Sequence, residues 1–89
     1  MKRHGDFLLR EVAGRQVIVP VGKQAAKFFG MISLNETGAF LWQQLETEQT
    51  VDSLAQALTG NYEVSEELAR KDVEAFLEKL RPTGALVEE

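Results

Sequence analysis

No cysteine occurs in the chain. Disulfides, thiolate metal sites and cysteine nucleophiles are therefore excluded. That is compatible with the cytoplasm, which is the expected location. Histidine occurs once, as His4, close to the start and in an expected frayed end. No catalytic triad, metal-binding cluster or paired-carboxylate arrangement can be built around it. The expected enzymatic activity, catalytic residues, metal ligands and cofactors are accordingly none. Long apolar runs are missing as well, and none approaches the roughly 20 residues of a membrane span. The start MKRHGDF has a basic tip with no apolar core after it, so no secretory peptide is expected. A glycine-rich phosphate loop is also absent; GKQ at 22–24 is too short to count. Basic residues are outnumbered, 10 against 14 acidic, for a formal charge of -4. That net field opposes nucleic acid.

What is present describes one folded unit over residues 1–89. The chain is 44% hydrophobic and 27% charged, too apolar for disorder. It divides near residue 34, with a β-meander expected over 7–34 and a winged-helix part over 35–89. FLLREV (7–12) and QVIVPV (16–21) are rich in branched residues and separated by AGR. This spacing signals a hairpin with Gly14 at the permissive turn position. Pro20 lacks an amide donor and belongs at a strand end or edge. GKQAAK (22–27) is a polar connection, and FFGMISL (28–34) is a third apolar run read as a strand.

Three helices follow. Asn35 is a good N-cap, and Glu36 suits the positive end of the helix dipole. Leu41, Trp42 and Leu45 share a face with Gly38. Thr50 caps a second helix whose Val51, Leu54, Ala55 and Leu58 repeat at i, i+3, i+4, i+7. Gly60 fits the position just past its end. Ser65 caps a third helix with Ala69, Val73, Phe76, Leu77 and Leu80 on one face. Glu66/Arg70 and Glu67/Lys71 are i,i+4 pairs on its solvent side. Pro82 ends that helix, and Gly84 turns the chain into a short final strand, ALV. The fold class is α+β: an N-terminal three-stranded antiparallel β-sheet followed by a three-helix winged helix-turn-helix. Gly38 stands out, because a helical glycine costs about 1 kcal/mol against alanine. A close approach of the sheet or of the third helix would explain it.

The LNETGAFLW stretch (34–42), the Thr50, Val51, Leu54, Leu58 pattern, and DVEAFLEKLRPTGALVE (72–88) together resemble the PqqD family. These small peptide chaperones are named for the pyrroloquinoline quinone pathway. VPVG and GMISLN upstream are similar to stand-alone members. The resemblance runs from about residue 7 to the end, and the order and spacing of its motifs carry it. It implies binding of the leader segment of a ribosomally made precursor peptide. It also implies presentation of that peptide to a modifying enzyme, often a radical SAM enzyme with iron–sulfur clusters. With no cysteine for such clusters, the chemistry belongs to the partner. Which peptide and which pathway, coenzyme PQQ biosynthesis or another, the resemblance does not fix.

In such a family the leader adds as a strand to the third strand's open edge, beside the third helix. On this chain the resemblance then points to Phe28, Phe29, Gly30, Met31, Ile32, Ser33 and Leu34, with Gly30 permitting close approach. Two flanks of the third helix compete for the groove. One carries Arg70, Glu74, Leu77 and Arg81; the other carries Asp72, Phe76 and Lys79. The first is preferred because it mixes an apolar contact with charges, although helical winding does not decide which flank faces the edge. An ordinary solvated face is the plain alternative for these charges.

Two other classes compete. A winged helix suits a DNA-binding transcriptional regulator with the third helix in the major groove. Its outer positions, Glu67, Arg70, Lys71, Glu74, Glu78 and Arg81, are of mixed sign, whereas a phosphate-tracking surface is mainly basic. A homodimer formed through the same open edge, with strand exchange, would use the site for a second copy.

Overall fold

In the computed structural model, which describes residues 1–26 and 31–88, four strands are followed by three consecutive helices and a final short strand. They are β1 (Lys2–Arg3), β2 (Phe7–Val12), β3 (Arg15–Pro20), β4 (Ile32–Leu34), α1 (Glu36–Gln44), α2 (Val51–Asn61), α3 (Glu66–Leu80) and β5 (Leu86–Val87). Short 3-10 turns occupy Gly22–Ala26 and Arg81–Thr83. No helix among the described residues is long and apolar enough to cross a membrane.

The hairpin forms where the sequence signals it. Val12 pairs with Arg15, leaving Ala13 and Gly14 as a two-residue loop with φ of 52° and 80°. Positive φ at both central positions is the primed turn that matches strand twist. The first sheet has the order β2-β3-β4, all antiparallel. Leu9, Ile18 and Ile32 stand in one rung across it. Ile18 and Ile32 are buried in the core, and Leu9 packs against that core.

All three expected N-caps are in place. Asn35 accepts from the Gly38 amide, Thr50 from the Ser53 amide, and Ser65 from the Leu68 amide. Ser53 reciprocates to the Thr50 amide, closing a capping box. The apolar stripes of the helices meet in one core containing Trp42, Leu45, Leu54, Leu58, Val73, Leu77 and Leu80. Trp42 is 1% exposed and acts as a core anchor. Truncating a side chain this large to alanine costs about 3–5 kcal/mol. Glu66/Arg70 and Glu67/Lys71 pair on the solvent side as the i,i+4 spacing predicts.

Three sequence expectations change. Gly60 does not lie beyond α2. The helix runs through it to Asn61, whose side chain donates to the Ala57 carbonyl at 2.8 Å. Tyr62 then leaves in an extended conformation, its ring edge-on to Phe40 at 5.4 Å. The tyrosine contact, rather than a left-handed glycine, ends the helix. The N-terminus is not frayed either. β1 pairs with β5 in a two-stranded ribbon, Lys2 opposite Val87 and Arg3 opposite Leu86. This ribbon is the wing. The His4 amide donates to Ala85 O at 2.8 Å, and His4 Nδ1 accepts from the Asp6 amide at 2.9 Å. Finally, β3 begins at Arg15 and ends at Pro20, one residue earlier at each end than the pattern QVIVPV suggests.

Candidate functional site

The backbone pattern of the hairpin fixes which groups of β4 are free. A two-residue primed hairpin closes on a hydrogen-bonded pair, here Val12 and Arg15. Alternation along β3 then turns the backbone groups of Arg15 and Val17 toward β2, and those of Gln16 and Ile18 toward β4. Gln16 stands opposite Leu34, Val17 opposite Ser33, and Ile18 opposite Ile32. Ile32 and Leu34 therefore bond to β3, while the N–H and C=O of Ser33 point outward from the sheet. The side chain that reaches this edge agrees: Lys79 Nζ of α3 donates to the Ser33 carbonyl at 2.5 Å.

Beside this edge lies a cavity of about 330 Å³ between the β4–α1 junction and α3. Leu34, Leu41 and Phe76 give it an apolar floor, and Gly38 and Ala75 leave room in its walls. Polar groups rim it: Asn35 and Thr37 from the start of α1, and Asp72 and Lys79 from α3. Gly38 shapes the cavity through close approach. A Cβ at this position would stand 3.1 Å from Asn35 Oδ1 and 3.4 Å from the Leu34 Cβ. The groups that crowd this position are thus the end of β4 and the cap oxygen itself. Asn35 Oδ1 also accepts from the Thr37 hydroxyl at 3.1 Å, which holds the cap in place.

A wider recess of about 800 Å³ lies on the far side of Asn35, toward the hairpin tip and Tyr62. The Tyr62 phenol there titrates above its ordinary value, first through burial and then through the Glu36 carboxylate beside it.

The residues proposed from the sequence divide. Ser33 and Leu34 are brought to the edge and the cavity. Ile32 is buried in the core with Ile18, and Met31 is 56% exposed just before β4. Phe28, Phe29 and Gly30 lie outside the described residues. On α3 the preferred flank lies away from the cavity beside β4. Leu77 is fully buried in the core, because it falls between Val73 and Leu80 on the apolar stripe. Arg70 pairs with Asp52 of α2 and with Glu66. Arg81 is held by Glu78 and Glu88. Glu74 is exposed. None of these four lines the cavity. The flank beside β4 is instead Asp72, Ala75, Phe76 and Lys79. Helical winding separates the two flanks in the sequence; only the packing of α3 against β4 selects between them. Thr37, Gly38 and Leu41 are further cavity residues that the sequence marked as helix positions without assigning them to a site.

A model of the family described as coenzyme PQQ synthesis protein D matches residues 15–86. The chain belongs to the PqqD family. The matched span covers β3, β4, all three helices and the cavity between them. Two solved structures share the fold of this PqqD family member. TbiB1, in complex with the TbiA(beta) leader peptide, is 18% identical with a TM-score of 0.75, covering 100% of this chain and 98% of that one. Lasso peptide synthetase B1, complexed with the leader peptide, is 23% identical with a TM-score of 0.72, covering 98% of this chain and 96% of that one. None of the curated proteins compared with the chain matches it. The PqqD fold here holds no group of three or more His, Asp or Glu side chains able to bind a metal among the described residues.

Proposed function

We propose that the protein is a peptide chaperone. It binds the leader segment of a ribosomally synthesised precursor peptide as an added strand on β4, beside α3. It then delivers the peptide to a modifying enzyme, a radical SAM protein in this reading. The protein itself acts by binding alone, in the cytoplasm, without a cofactor. The observation that carries the reading is the pairing of an outward backbone edge at Ser33 with an adjacent cavity that has an apolar floor and a polar rim. Main-chain bonds to an open edge supply affinity, and an adjacent pocket selects side chains. Membership of the PqqD family supports it, as does the presence of leader peptides in the complexes of both similar structures.

DNA regulation is the poorer reading of the winged helix. Arg70, Lys71 and Arg81 are each already paired with carboxylates, so α3 offers little free positive charge to phosphates. Self-association would use the same β4 edge and therefore competes with peptide.

Calorimetric titration with the precursor peptide encoded beside this gene tests the proposal. Saturable one-to-one binding, and co-purification of the peptide-bound protein with the neighbouring radical SAM enzyme, are expected. No heat of binding with a correctly folded protein would overturn it.

A further inference from the structure

The cations of α3 and its C-cap are not equivalent. Arg70, Lys71 and Arg81 each lie within ion-pair distance of at least one carboxylate. Lys79 has no carboxylate within that distance among the described residues. Its ammonium instead rests on the backbone oxygen of Ser33, at the rim of the cavity. Lysine on an open strand edge is a known way to keep that edge from pairing indiscriminately. Here it occupies the acceptor that an incoming strand needs.

Resting on the chaperone reading, we propose that Lys79 is a specificity-determining residue that selects an acidic side chain in the leader. In the empty groove its ammonium takes the Ser33 carbonyl. An added strand places its own N–H on that carbonyl and displaces the ammonium into the space beside the peptide. A free ammonium at the groove rim gains most from a carboxylate. A leader with Asp or Glu beside the residue paired to Ser33 supplies one and gives back the lost contact. A leader with Lys or Arg there leaves two like charges together. Asp72 lies two turns earlier on the same flank and lines the same cavity, with Phe76 between. The groove thus reads an extended segment with a carboxylate at the Lys79 end, an apolar side chain over Phe76, and tolerance for a cation at the Asp72 end. The leader's own charge order, not only its apolar anchor, decides which peptide is accepted.

The test is a display selection from random short peptides on the immobilised full chain. It is run in parallel on the parent, Lys79→Glu and Lys79→Met, each checked for folding by circular dichroism. Lys79 is exposed, so both variants are expected to fold. Peptides enriched on the parent should carry Asp or Glu at a fixed distance from an apolar anchor. Lys79→Glu should enrich Lys or Arg at that same position. Lys79→Met should still bind but lose the preference. Exchanging the acidic residue for lysine in a selected peptide should weaken binding to the parent by about fivefold, the scale of an exposed ion pair, and less at high salt. Identical sequence preferences on all three proteins would overturn the proposal while leaving the groove intact. Tighter binding of every peptide by Lys79→Met, whatever its charge, would show that Lys79 only guards the edge and would also overturn it. No enrichment on any of the three would overturn both this proposal and the chaperone reading.

Discussion

The amide of Gly38 donates to Asn35 Oδ1 at 2.8 Å, and a Cβ on Gly38 would stand 3.1 Å from that same oxygen. One atom thus caps the helix and crowds any side chain at the third helical position. Alanine at an ordinary helix site gains about 1 kcal/mol over glycine. Here the cap and the end of β4 must shift by a few tenths of an ångström to admit it. Gly38→Ala is expected to leave the melting midpoint unchanged or lower. Gly38→Leu should cost about 1–3 kcal/mol through overpacking. A thermal melt with a clearly raised midpoint for Gly38→Ala would remove close approach as the reason for this glycine.

Proline separates the two sides of β4. Ser33→Pro removes an outward N–H and fixes a φ that an edge strand tolerates. It should keep the fold and lose peptide binding. Ile32→Pro removes a donor to β3 and distorts a core residue that is 6% exposed. It should unfold the protein or lower its midpoint steeply. Circular dichroism melts and calorimetry on both variants decide; an unfolded Ser33→Pro beside a stable Ile32→Pro would invert the assigned register.

Charge reversal on the far flank should matter little. Arg70→Glu breaks contacts with Asp52 and Glu66, and Arg81→Glu breaks contacts with Glu78 and Glu88. Exposed pairs of this kind contribute about 0.2–1 kcal/mol to stability. Peptide affinity measured by calorimetry is expected to stay within about twofold of the parent at physiological salt, where distant exposed charges are screened. A loss of tenfold or more would place the peptide on this flank.

Nucleic acid should bind weakly. With a net charge of -4, and with Arg70 and Lys71 of α3 and Arg81 at its C-cap paired, only salt-sensitive association is expected in a gel shift. Sequence-specific binding in the nanomolar range at physiological salt would contradict the peptide reading.

The sequence revealed much of the fold because its local signals agreed with the packing. Asn35, Thr50 and Ser65 are caps by chemistry, Gly14 is a turn by conformation, and Val73, Leu77 and Leu80 form a stripe by period. Other features depended on tertiary partners. Lys2 and Arg3 form a strand only because Leu86 and Val87 stand opposite them, and two residues carry no periodic signal. Gly60 looks like a helix end, but Tyr62 finds Phe40 and sets the end two residues later. Of the third apolar run, Ile32–Leu34 form the expected edge strand, whereas the flank of α3 that packs beside it was not legible. Winding places Arg70 and Arg81 apart from Asp72 and Lys79 without saying which pair meets β4. One clue was available: Leu77 already belonged to the core stripe, which argues against giving its flank to a ligand.

The most direct test is the Ser33 amide followed by 15N NMR during titration with the precursor peptide, with hydrogen exchange measured before and after saturation. Strand addition at β4 predicts a large shift of the Ser33 resonance and strong slowing of its exchange, while the amides of Arg70 and Arg81 barely move. Saturable binding that leaves the Ser33 amide unshifted and still exchanging freely would contradict the account.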